Sequence, residues 1–118
     1  MAIYTAIPKA DPFPFETVGI NTTMVPNTGY TTTAAIDLTL PPTYFKDDVI
    51  KIVSDTGNGF TILQDQAYHQ IFDLALNSTL GALGSASTED PGAVIELIAE
   101  ADNGAWRVVN NKGFFDYA

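Results

Sequence analysis

The chain contains no cysteine, which excludes a disulfide framework and any thiolate metal site. It is poor in positive charge: five Lys and Arg stand against fourteen Asp and Glu, a net charge of −9. Nucleic-acid binding needs basic side chains to neutralise phosphates, so this balance argues against it. The same acidity disfavours docking on an anionic membrane surface; it serves either solubility or the facing of a basic partner surface. No run approaches the ~18 consecutive apolar residues of a membrane span. The first ten residues, Met1-Ala-Ile-Tyr-Thr-Ala-Ile-Pro-Lys-Ala10, hold neither the basic region nor the apolar stretch of a secretory signal. They predict a protein made and used without that export route. A single histidine, His69, leaves little material for acid–base chemistry.

What is present is β-forming sequence on a one-domain scale, 118 residues with 46% hydrophobic content. The clearest pattern is a hairpin over residues 92–113. Ile95, Leu97 and Ala99 fall on one face, with Glu96 and Glu100 on the other, the period of a half-buried strand. Asp102-Asn103-Gly104 reads as the turn, with Asn103 and Gly104 supplying the positive φ of a tight hairpin. Trp106 and Val108 then share a face and Arg107 takes the other, which makes Trp106 a candidate core anchor.

Residues 1–30 differ in character. Pro8, Pro12, Pro14 and Pro26 are interleaved with Tyr4, Phe13 and Phe15, a composition poor for sheet interior and wrong for helix. It predicts an extended N-terminal arm. Its aromatics either fold back on their own domain or grip a neighbouring subunit, and Tyr4, Pro8, Pro12, Phe13, Pro14 and Phe15 are the candidate contact residues. Residues 31–118 form the module proper. A strand is expected over residues 30–40, closed by Pro41-Pro42, and a hairpin over residues 49–63 around the glycine-rich turn Asp55-Thr-Gly-Asn-Gly59. Residues 65–76 fit either a helix or an irregular strand. Residues 77–90 read as a loop with a short strand, anchored by Leu80 and Leu83. No repeat of the solenoid kind is visible. Frequent turn signals between short strands point to an all-β fold, a small antiparallel, jelly-roll-like β-sandwich or small barrel.

Chemistry finds little footing. A catalytic triad would need His69 as base beside a placed nucleophile, and no Gly-x-Ser-x-Gly elbow is present. Asp47, Asp48 and Asp55 could supply the paired carboxylates of a glycosidase, but aspartate before a strand or opening a turn is ordinary structure. The loop from Asp55 lacks the acidic ligands and the closing glutamate of an EF-hand. No zinc spacing or phosphate-binding glycine motif occurs. Asn21-Thr-Thr and Asn77-Ser-Thr match the glycosylation sequon, and without an export signal they read as chance matches. No catalytic residue, metal or cofactor is therefore assigned.

Five pieces of the chain carry a resemblance. They are Thr33-Ala-Ala-Ile-Asp-Leu-Thr-Leu-Pro41, Asp47-Asp-Val-Ile-Lys-Ile52, Gly59-Phe-Thr-Ile62, the Ser- and Gly-rich residues 77–87, and Gly92-Ala-Val-Ile-Glu-Leu97 with Trp106-Arg-Val-Val and Gly113. In this order they resemble a β module of bacteriophage virion proteins, found in tail fibres and in head fibre or capsid decoration proteins. The chain departs from that pattern at Asp47, where the family has glycine. The resemblance implies a β-sandwich that assembles as a homotrimer on the virion, made in the host cytoplasm, with no catalytic residues. About thirty residues before the module are too few for a fibre shaft, which favours a decoration, or cement, protein bound to the major capsid protein on the capsid surface. The alternative is a tail fibre or receptor-binding module that recognises host surface glycans, stacking sugars on Tyr44, Phe45 or Trp106.

Overall fold

Alternating burial organises the strands. In β5 (Val49–Ser54) and β10 (Val94–Ala99) every second residue is buried, as expected where one face of a sheet meets a core. The structure, a computed structural model, describes residues 13–55, 59–74 and 76–118. These residues are all-β, with no helix among them. The remaining strands are β1 (Phe15–Val18), β2 (Thr22–Thr23), β3 (Thr28–Thr32), β4 (Ile36–Thr39), β6 (Phe60–Leu63), β7 (Ile71–Asp73), β8 (Leu76–Asn77), β9 (Ser85–Thr88), β11 (Trp106–Lys112) and β12 (Asp116–Tyr117).

They form two mixed sheets, ordered β1-β3-β5-β10-β11-β7-β8 and β12-β9-β6-β4-β2. The first six strands alternate between the sheets. β1, β3 and β5 pair in parallel in one, and β2, β4 and β6 in parallel in the other. The chain thus winds around the core in three stacked two-strand coils. β9 and β10 then lie antiparallel on β6 and β5, and β11 and β12 complete the body.

Four expectations are corrected here. The sheets are mixed rather than antiparallel, because each bend of the early chain carries it to the opposite sheet and the return strand arrives running the same way. Residues 30–40 are not one strand: the backbone turns at residues 33–35 between β3 and β4, in different sheets. Residues 49–63 are not a hairpin, for the same reason: β5 and β6 face each other across the core instead of pairing. Finally, the part of the expected arm beginning at Phe15 is already sheet, with β1, β2 and the start of β3 inside residues 15–30.

The hairpin over residues 92–113 is present, β10 pairing antiparallel with β11 from Val94↔Lys112 to Ala99↔Trp106. Its connection is wider than a tight turn. Glu100 N–H donates to Ala105 O at 2.9 Å, and only Asn103 (φ 45) has positive φ there, not Gly104. A bulge between Glu96 and Leu97 leaves Val109 without a partner in the register. That extra residue restores the inward phase for Trp106 and Val108 and turns Val109 outward.

The core gathers Leu38, Leu40, Ile50, Ile52, Ile62, Ile71, Ile95, Leu97 and Trp106 from both sheets. Each such side chain contributes about 1.5–3 kcal/mol on burial. Gly59 fixes how closely the third coil meets β9. At φ +65, a Cβ there would lie 2.0 Å from Thr88 O, so no side chain is accommodated.

Candidate functional surfaces

A buried polar joint is built where the segment after β6 crosses the core. Gln64, His69 and Ser78 are all buried. Gln64 Nε2 donates to the carbonyls of His69, Thr79 and Gly81, each at 2.8 Å. Ser78 Oγ donates to Gln64 Oε1 and accepts from Ile71 N–H at 2.8 Å. One glutamine therefore ties residues 64–70 to residues 78–84. Its polar atoms are in use, which is what makes such burial tolerable.

His69 belongs to the same joint. Asp65 N–H donates to Nδ1 at 3.2 Å, so the hydrogen sits on Nε2, which donates to Pro41 O at 3.0 Å. This network assigns the neutral tautomer. Burial holds the imidazole below its usual pKa, against the opposing pull of the Pro41 carbonyl and the Asp65 carboxylate. Both ring nitrogens are engaged and the Ser78 hydroxyl is committed to Gln64, so no free base–nucleophile pair exists in this joint.

Next to it lies an aromatic cluster. The Tyr44 ring sits 4.6 Å from Trp106 and stacks on His69 at 5.9 Å, and Tyr68 meets His69 edge-on at 5.3 Å. Tyr44 and Tyr68 hydroxyls donate to Gly104 O and Pro42 O. Burial pushes the Tyr44 phenol up to about 12, partly offset by the facing Trp106 indole and reinforced by Tyr68. That indole N–H nonetheless lacks hydrogen-bond geometry to any acceptor. Trp106 is fully buried and Tyr44 nearly so, which removes both as sugar-stacking platforms. Phe45 is different, at 72% exposed. It borders a groove of about 450 Å³ lined with Asn27, Asp48, Asp102 and Asn103.

The three aspartates do not converge. Asp48 accepts from Asn27 Nδ2 (3.0 Å) and Phe45 N–H (2.9 Å). Asp47 takes a positive φ of 73 and pairs with Lys46 at 3.4 Å. Asp55 lies beyond the far end of β5. Six strand residues span about 20 Å, well past the separation of glycosidase carboxylates. Among the described residues, no three metal-ligating side chains come together, and no helix is long and apolar enough to cross a membrane.

Of the arm residues, Tyr4, Pro8 and Pro12 lie outside the described residues. Phe13 stands 4.9 Å from Lys51 Nζ and edge-on to Phe15 at 6.0 Å. The Phe15 ring lies directly over Gly29, leaving no room for a Cβ there. Pro14 O accepts from Gly29 N–H at 2.7 Å. Phe13 and Phe15 thus rest on their own sheet, and Phe15 keeps half its surface outward.

The largest apolar exposure is elsewhere. Leu74 (94% exposed), Leu76, Leu80 and Leu83 (92%) all project into solvent. Leu80 and Leu83 are therefore not anchors of their loop; Gln64 holds that loop by its backbone instead. Sequence reasoning missed Gln64 and Ser78, since nothing in their spacing distinguishes them from surface polar residues. Four leucines within ten residues did carry a signal, which the Ser, Thr and Gly around them obscured.

No known family model matches the chain, and no curated protein matches it either.

Proposed function

We propose that this chain is a non-enzymatic structural protein of a bacteriophage virion: a trimeric capsid decoration protein that binds the major capsid protein and stabilises the capsid exterior. One observation carries the reading toward assembly rather than chemistry. The polar joint is internally satisfied, while large apolar side chains stand exposed at the edges of an acidic all-β body. Such surfaces mark sites of macromolecular contact. The resemblance of strand order and of the Trp106-Arg-Val-Val return to virion modules supplies the kind of assembly.

In this reading residues 1–12, with Tyr4, Pro8 and Pro12, reach to the capsid, and Phe13 and Phe15 offer their outward faces. Three arms on one trimer give avidity even where each contact is weak. Deleting residues 1–12 spares β1 and is expected to weaken binding to capsids assembled without the protein by at least about tenfold. Undiminished binding would overturn the arm's role.

A second reading, a tail fibre or receptor-binding module for host surface glycans, is favoured by Phe45. An exposed ring beside a groove lined with carboxylates and amides suits a pyranose face and its hydroxyls. Glycan-array binding that disappears in Phe45→Ala supports it. An array with no binding removes it.

A further inference from the structure

We propose that the β8 edge and the loop that follows it, which carry Leu74, Leu76, Leu80 and Leu83, form the surface on which copies of this chain bind one another. The inference takes up the self-association of the preceding reading and assigns its surface, independently of any place on a virion.

Charge selects the occupant. From Leu74 through Thr88 the sequence has no charged side chain, in a protein of net charge −9. Two copies meeting through most of their surface would bring acidic groups together. Here they would meet through leucine, serine, threonine and glycine, with Asp73 at the margin, its carboxylate held by Asn111 and Tyr117. The four leucines offer on the order of 500 Å² of surface, near the top of what an ordinary monomer exposes in one patch. The ~800 Å² per partner of a stable interface then requires the serine, threonine and glycine residues beside them as well.

Backbone strain points the same way. Asp73 pairs with Leu76, and Leu74, which directly follows β7, has φ 55. This position favours Gly, Asn or Asp. A strained, almost fully exposed leucine does nothing for an isolated monomer, and strain of this kind gathers where a contact uses it.

The surface is also preorganised. Gln64 grips the carbonyls of Thr79 and Gly81, and Gln64 N–H donates to Gly84 O at 3.1 Å. These bonds hold residues 79–84 so that Leu80 and Leu83 point outward, and little ordering is left to do on association. β8 is the terminal strand of its sheet, so the patch continues onto an edge that no further strand covers among the described residues.

The test is native mass spectrometry with size-exclusion light scattering on the full chain, comparing wild type with Leu74→Asn and Leu83→Asp. Asparagine suits the positive φ at position 74, so that variant keeps its fold while losing the contact. Leu83→Asp adds charge at an exposed position. The expected result is an oligomeric wild type whose dissociation constant rises at least about tenfold in each variant. Thermal stability of the dissociated Leu74→Asn chain should not fall. A wild type that is monomeric at micromolar concentration overturns both the surface and the self-association behind it. An oligomer indifferent to both substitutions overturns this surface alone. Leucine-dependent oligomers that fail to bind capsids uphold the surface and remove the virion reading.

Discussion

The first six strands and the final β9–β12 segment bury side chains by the same alternation, yet they pair in different ways. β1 to β6 form parallel coils that cross the core at every bend. β9 to β12 pair antiparallel with β5, β6 and one another, with β10 and β11 joined as neighbours in one sheet; only the outer edge of β11 takes a parallel partner, β7. Alternation decides which face of a strand is buried. It says nothing about which strand lies beside it. The difference arises in the connections. Residues 33–35 redirect the chain across the core between β3 and β4, and β5 and β6 likewise lie in different sheets, whereas residues 100–105 return the chain to the same sheet.

The sharpest way to break this contrast is to ask which strands are neighbours. Thr31 and Val53 are register partners in β3 and β5. The chain has no cysteine of its own, so Thr31→Cys with Val53→Cys is a clean pair. It should cross-link under mild oxidation, read as a shift on non-reducing gels. A chain in which β3 and β5 are not neighbours would leave those thiols apart.

Truncation then compares the two regions in energy. Trp106→Ala in the hairpin removes the side chain that packs on Tyr44 and is expected to cost about 4–5 kcal/mol in urea unfolding. Leu38→Ala, buried in the second coil, should cost about 3 kcal/mol. Equal losses would mean that the aromatic cluster adds nothing beyond ordinary burial. Gln64→Ala should cost about 3 kcal/mol by orphaning buried carbonyls and the Ser78 hydroxyl. A cost under about 1 kcal/mol would show that water replaces the glutamine.

The smallest effect is on pH dependence. His69 is neutral in the fold and held below the ordinary 6.5 by burial. The unfolded chain takes up that proton more readily, so its contribution is complete above about pH 6.5 and declines as pH falls toward the folded value. His69→Gln should flatten this limb of the stability curve. Tyr44 has the opposite dependence. Its pKa of about 12, against the ordinary 10.0, means that stability declines as pH rises from about 10 toward 12. Thermal melts across pH 5–8 and 9–12 read both limbs.

Much of the sheet content was legible because Ile95, Leu97, Ala99 and Trp106 obey the strand period and sit beside recognisable turn residues. The arches were not legible. Thr33-Ala34-Ala35 is neither glycine- nor proline-marked, and a bend across the core leaves the alternation of Ile36 and Leu38 intact. The coils also escaped detection as repeats, because their spacing is uneven: Phe15 meets Gly29, but Gly29 meets Lys51. The polar joint was illegible for another reason. Gln64 and Ser78 are fourteen residues apart and meet only because β8 pairs back on β7. The leucine end was readable as composition, though not as exposure, since periodicity cannot tell an anchor from a contact.

The assembly claim is tested most directly by where the protein sits on a particle. Electron microscopy of virions labelled with antibody against this chain should place it on the capsid surface at three-fold positions. Label confined to the tail, or its absence from purified particles, would contradict the account.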